Sequence, residues 1–132
     1  MTRINVVAPS ELSNVHLLAE HREIKRIPNV IASGKYSLDW APAKDALWTW
    51  HVKFFYNKLG WLYDRYIQLY KECCSRWFSI TNYSQAFKYC PGELFGGYEP
   101  TAEARRINRK RITTRNCQSE LKKIKKTFDF AY

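Results

Sequence analysis

The residues best suited to chemistry gather near the start of the chain. Met1 precedes a small residue, Thr2, a context in which the initiator methionine is normally removed, and its removal leaves a free α-amine on Thr2. Such an amine has an ordinary pKa of roughly 7.7 to 8.0, against about 10.4 for a lysine, so a useful share is neutral and nucleophilic near neutral pH without any burial. Further on, at about 100° per residue of a helix, Leu12, His16, Ala19, Glu20 and Glu23 fall on one narrow face, and Arg22 and Arg26 stand one turn apart beside it. A carboxylate backed by Leu12 and Ala19 and flanked by arginines is suited to moving protons or stabilising a developing cation. The same spacing also arises when Glu20 and Glu23 simply pair with Arg26 on a solvated face, and periodicity alone favours that plainer reading.

Other chemistry is poorly represented. The sequence holds no Gly-rich phosphate loop, no H-E-x-x-H and no G-x-S-x-G. Cys73, Cys74, Cys90 and Cys117 contain no C-x-x-C pair to seed a zinc site, and adjacent cysteines do not readily bridge each other. Reduced thiols packed mostly in the core are therefore expected, with no metal.

The elements that must position these groups read as helices. Pro9-Ser10-Glu11 marks a helix entry with Ser10 as its cap, and the helical pattern runs to about Ile27, where Pro28 is expected to stop it. From Asn29 to Lys44 no period is sustained, which predicts a surface loop. From about Pro42 to Trp77 the apolar residues Phe55, Leu59, Leu62, Tyr66, Leu69 and Cys73 recur at steps of four and three, the seam of a long helix that Gly60 interrupts only weakly. Between Ser79 and Pro100 the residues Pro91, Gly92, Gly96 and Gly97 favour turns, and Thr101 can cap a third helix. Without strand-like alternation or internal repeats, the expected fold is all-α: a compact single domain, residues 1–132, of three helices joined by long loops.

Composition narrows the partner. The chain of 132 residues is 45% hydrophobic and 16% aromatic, too apolar for a disordered chain despite its formal charge of +10. That charge, with a pI near 9.6, is the footprint of a protein that meets a polyanion. Between Thr101 and Lys126 ten basic residues stand against Glu103 and Glu120, so the third helix supplies most of the excess. A balanced Lys/Glu helix would read as merely solvated; this imbalance points to phosphate. No stretch approaches the roughly eighteen unbroken apolar residues of a membrane span, and no basic region precedes an apolar run at the start, so a soluble cytoplasmic protein is expected.

The residues carry a resemblance as well. Met1-Thr2-Arg3-Ile4-Asn5, then Ser10-Glu11-Leu12, His16-Leu17, Ala19-Glu20, Arg22-Glu23 and Arg26 stand in the order and spacing of the T-even-phage pyrimidine-dimer glycosylases. His51-Val52-Lys53-Phe54-Phe55-Tyr56-Asn57-Lys58-Leu59 resembles the start of that family's central helix, and Gly97-Tyr98-Glu99-Pro100 the segment before its third. The resemblance implies a DNA glycosylase with abasic-site (AP) lyase activity that needs no cofactor. In it the Thr2 amine attacks C1′ of the damaged nucleotide, displaces the base and forms an imine that permits β-elimination, with Glu23 assisting both steps. It also implies DNA contacts by Arg3, His16, Arg22 and Arg26 around the lesion and a flipped-out base, and by Arg111 and Arg115, one turn apart on the third helix, to phosphates. The partner implied is double-stranded damaged DNA, met by a monomer in the cytoplasm of a phage- or virus-infected host. Extruding a nucleotide is easier where a lesion has weakened stacking, which is a source of selectivity.

Departures from the family pattern bear on specificity. Val15 and His21 replace a glutamine and a tyrosine on the helix expected to face DNA, the loop before Trp40 is shorter, and the aromatic tail is reduced to Phe128, Phe130 and Tyr132. Readings that stay open are an AP lyase or a glycosylase for another modified pyrimidine, a non-catalytic DNA-binding relative that retains Met1, and a protein-binding surface built on Trp40, Trp48, Trp50 and Trp61.

Overall fold

Proline, glycine and the apolar seam account for most of the architecture. The computed structural model describes residues 4–38 and 51–131, and within them the chain is all-α, as expected. Each of the three expected helical stretches is present, and the first two are divided. Pro9–Glu11 forms a single 3-10 turn, closed by a hydrogen bond from the Ala8 N–H to Glu11 Oε2 (3.3 Å). Leu12 then turns inward and is buried, so the helix starts later than Ser10: Ser13 is its cap, its hydroxyl accepting from the His16 N–H (3.4 Å), and α1 runs Asn14–Glu23.

Pro28 does not stop the helix. It occupies the first turn of α2, Arg26–Ala32, where an N–H has no intrahelical acceptor to lose. Its ring instead excludes the carbonyl four residues back, that of Ile24, and the break between α1 and α2 falls at Ile24 and Lys25. The loop expected from Asn29 accordingly begins only at Ser33. Ile24, Ile27 and Ile31 carry the apolar face across the break and are buried.

The central stretch comprises α3, His51–Phe54, and α4, Leu59–Ser75, separated by a turn; the part of the expected helix at 42–50 lies outside the described residues. All six seam residues from Phe55 to Cys73 are buried, and α4 packs against α1 and the 3-10 turns at Pro9–Glu11 and Ser84–Phe87. Gly60 stands in the first turn of α4 because the segment 95–96 crosses there: a Cβ on Gly60 would lie 3.0 Å from the Gly96 carbonyl oxygen, which accepts from the Trp61 N–H (3.2 Å). A Cβ on Gly96 would meet the Asn57 carbonyl oxygen at 2.5 Å, so this crossing requires glycine. α4 ends in a reciprocal pair of backbone bonds, Trp77 to Cys74 (3.0 Å) and Phe78 to Cys73 (3.1 Å), with Trp77 at φ 63° in the left-handed position that glycine usually takes.

The expected turn region holds 3-10 turns at Ser84–Phe87 and Gly92–Leu94, and α5 spans Ala102–Ala131, capped by Thr101, whose hydroxyl accepts from the Ala104 N–H (3.0 Å). All four cysteines are free thiols; Cys73 is buried and Cys90 half-buried, but Cys74 and Cys117 are exposed rather than packed in the core. Trp61 is half-buried, stacks on Phe55 (5.4 Å between centroids) and meets Tyr98 edge-on (5.3 Å), so it takes part in core packing; Trp40, Trp48 and Trp50 lie outside the described residues.

Candidate active-site cleft

The segment 4–7 is fixed before any catalytic group is considered. Ile4 and Val7 insert into the core, and the N–H groups of Val6 and Val7 donate to one acceptor, Asn108 Oδ1 on α5, at 2.8 and 3.3 Å. On the opposite side Arg65, buried in the middle of α4, donates through Nη1 to the Val7 carbonyl. The segment 4–7 is thus held between the central and last helices.

Beside it α1 presents the face drawn from its sequence. Glu20 is buried and accepts from Arg65 through two bonds, Nε to Oε2 at 2.8 Å and Nη2 to Oε1 at 2.9 Å, and from Asn5 Nδ2 at 2.6 Å. Its partner is therefore Arg65 on α4, not Arg26. A bidentate guanidinium with a third donor is what a carboxylate needs to stay buried. Glu23, one turn on, is less enclosed: its side chain keeps 18% exposure, and among the described residues it pairs with Arg26 Nη1 at 3.8 Å. That pair is of the surface kind, worth about 0–1 kcal/mol.

Between α1, α5 and the N-terminal segment lies a cleft of 470 Å³, lined by Asn5, His16, Ala19, Glu20, Glu23, Arg111, Ile112 and Arg115. Arg111 and Arg115 reach it because they share the inward side of α5 with Ala104 and Asn108, at steps of three and four. Two other α5 cations point elsewhere: Arg109 pairs with Glu11 (Nε to Oε1, 3.0 Å) and Arg106 lies 3.8 Å from Glu103. Arg109 holds the Glu11 carboxyl below its ordinary value, first by the hydrogen bond and also by its charge. His16 hydrogen-bonds Ser13 across 3.2 Å at Nδ1, and its pKa is pulled down by burial first and then by the charges of Arg115 and Arg111. The imidazole is accordingly neutral at pH 7 and the surrounding positive charge is carried by arginine.

Of the expected site residues the structure brings together His16, Glu23, Arg111 and Arg115, with Arg26 at the edge beside Glu23. Arg22 is exposed on α1 and does not line the cleft. Thr2 and Arg3 lie outside the described residues. Val15 is exposed on α1, but His21 does not face outward: it is buried, stacked on Tyr66 (5.5 Å) and flanked by Tyr83 (5.2 Å) and Tyr70 (6.2 Å). Sequence reasoning missed the roles of Asn5, Arg65 and Asn108. A signal for one of them exists, since Arg65 is a charge on the buried side of α4, three residues after Leu62 and four before Leu69.

An all-α scaffold carries a cleft built on its N-terminal segment and lined by Arg111, Arg115 and two carboxylates, of which Glu20 is already paired with Arg65. A family model described as pyrimidine dimer DNA glycosylase matches residues 1–84, which spans the N-terminal segment, α1, α2, α3 and α4. The chain belongs to that family, whose members act on damaged DNA. Among the described residues no helix is long and apolar enough to cross a membrane.

Proposed function

We propose that the protein excises UV-induced pyrimidine dimers through an imine on the Thr2 α-amine and then cleaves the strand as an AP lyase, acting as a monomer on double-stranded DNA in the cytoplasm without a metal or other cofactor. The observation that carries the reading is the convergence of Glu23, Arg111 and Arg115 on a cleft one wall of which is Asn5, three residues from Thr2. In the first step the neutral amine forms a bond to C1′ as the C1′–N glycosidic bond breaks and the base departs. One amine proton passes to the departing base and the second to O4′ as the C1′–O4′ bond breaks, which opens the sugar ring and gives the C1′=N imine. Removal of a C2′ proton then sends electrons through the imine and expels the 3′ phosphate. Glu23 stabilises the cationic sugar and shuttles these protons. Arg111 and Arg115 hold phosphates on the α5 side, while Arg3, Arg22, Arg26 and His16 contact the strand around the lesion; a neutral His16 does so as a hydrogen-bonding group. Lesion selectivity comes from the lower energy of extruding a nucleotide where stacking is already disturbed.

Borohydride trapping on duplexes carrying a thymine dimer, an abasic site or no damage, with the N-terminal mass determined alongside, tests this directly. The expected result is a covalent adduct on the dimer and abasic duplexes, lost when Thr2 is blocked and suppressed in Glu23→Gln. Trapping on the abasic duplex alone would reduce the activity to a lyase or to another lesion. No trapping by protein whose mass shows Thr2 at its terminus would leave a DNA-binding relative without turnover.

A further inference from the structure

The side-chain amide of Asn5 joins three helices through one directed chain of hydrogen bonds. Asn108 Oδ1 is committed to the two N–H groups of Val6 and Val7, so its Nδ2 must face the other way, and it donates to Asn5 Oδ1 at 2.7 Å. That in turn leaves Asn5 only its Nδ2, which donates to Glu20 Oε1 at 2.6 Å, and Glu20, as a carboxylate already bonded to Arg65, can only accept. No amide in the series can be flipped without setting two like groups against each other. The order runs from α5 through the N-terminal segment to α1 and α4, and Asn5 also lines the cleft that holds Glu23.

Stability alone does not call for this arrangement. A buried ion pair and its hydrogen bonds contribute about as much as well-packed apolar residues of the same volume, or less. A fully satisfied directional network does something that apolar packing does not: it admits one register. The chain covers at most about 3.3 to 3.6 Å per residue, so fixing Asn5 confines the Thr2 backbone to within roughly 11 Å of it. We propose that Asn5, clamped between Asn108 and Glu20, is a positioning residue that sets the approach of the terminal amine to the cleft. The proposal rests on the reading of the Thr2 amine as the nucleophile.

The test follows borohydride trapping with time on an abasic duplex at saturating concentration, for the full-length protein, Asn5→Ala and Asn108→Asp, with duplex affinity measured by fluorescence anisotropy. Asn108→Asp keeps the acceptor for Val6 and Val7 but leaves the neutral Asn5 amide between two carboxylates, where it can serve only one; it carries the test if Asn5→Ala does not fold. Expected in either variant is a rate constant lower by about tenfold to a hundredfold, the scale of a misplaced reacting group, with final trapped fraction and affinity near those of the parent. A purely structural role would instead lower the final trapped fraction and leave the rate constant unchanged, and that result overturns the proposal. A parent protein that does not trap at all would remove the amine reading and this one with it, whereas unchanged variant rates beside a parent that traps remove this one alone.

Discussion

Glu20 and Glu23 are the same residue type, one turn apart on the same face of α1, and the fold treats them in opposite ways. Glu20 is 2% exposed, with both oxygens engaged by Arg65 and one also by Asn5. Glu23 retains solvent, faces the cleft and has Arg26 only at 3.8 Å. What separates them is what stands opposite: at Glu20 it is the Arg65 guanidinium projecting from the middle of α4, and at Glu23 it is open cleft. Three of the roughly four acceptor sites of the Glu20 carboxylate are taken up by Arg65 and Asn5, so its contribution is to structure. Glu23, which keeps solvent and faces the cleft beside Arg111 and Arg115, is the carboxylate that the proposed reaction would use.

The largest expected effect breaks the first half of that contrast. Glu20→Ala leaves the Arg65 charge buried without its partner, and unfolding by urea is expected to show a loss of about 3–5 kcal/mol. A loss below about 1 kcal/mol would mean that Arg65 finds water and that the pair is not the fixed element described here. Glu23→Gln breaks the other half. It is expected to lower the rate of imine trapping at saturating abasic DNA by about a hundredfold or more while its unfolding free energy from urea titration changes by about 0.5 kcal/mol or less. The reverse outcome, a stable Glu20 variant and an unstable Glu23 variant, would exchange the two roles.

A smaller effect extends the contrast to α5, where Arg115 lines the cleft and Arg106 is two-thirds exposed beside Glu103. Arg115→Ala is expected to weaken binding to dimer-containing and undamaged duplexes alike and to reduce the slope of log affinity against log salt by about one, as for a single lost phosphate contact. Arg106→Ala should leave that slope nearly unchanged. Fluorescence anisotropy across a salt series reads both, and equal slopes for the two variants would show that the helix acts as a diffuse positive charge rather than through its inward face.

How much of this was legible in the sequence depended on the range of the interaction. The α4 seam, the face of His16, Ala19, Glu20 and Glu23, and the Thr101 cap all follow from periods and pairs within a few residues and stand in the fold, whereas Leu12, expected on the same helical face, precedes α1. Pro28 was misread because its clash acts four residues upstream, at Ile24, so that the break precedes the proline and the helix resumes through it. Glu20 could be assigned to the correct face but not to its partner, since Arg65 is 45 residues away in the chain. Asn5 and Asn108, 103 residues apart, are short uncharged side chains whose pairing leaves no local pattern. Arg111 and Arg115 were assigned by resemblance; among ten basic residues their spacing would not have separated the cleft-lining pair from the rest.

The smallest expected effect concerns the two histidines of α1, which divide between core and cleft much as the two glutamates do. Both have pKa values below the ordinary 6.5, in each case by burial first; His21 is then opposed by Lys25, and His16 by Arg115 and Arg111. In the unfolded chain they protonate near 6.5 while the folded protein resists, so stability from these groups is complete above that pH and declines as the pH falls below it. His21 Nε2 is buried without a hydrogen-bond partner among the described residues, inside a box of Tyr66, Tyr70 and Tyr83. His21→Phe removes both the unsatisfied nitrogen and the proton uptake. Its stability at about pH 7.5 should equal or exceed the parent's by up to about 1 kcal/mol, and its loss of stability on going to about pH 5 should be smaller. His16→Phe should share the shallower pH dependence but, unlike His21→Phe, weaken DNA binding, because its ring belongs to the cleft. Urea unfolding at the two pH values, with anisotropy on the same samples, separates them: a His21 variant that loses DNA affinity would place that ring at the substrate instead of in the core.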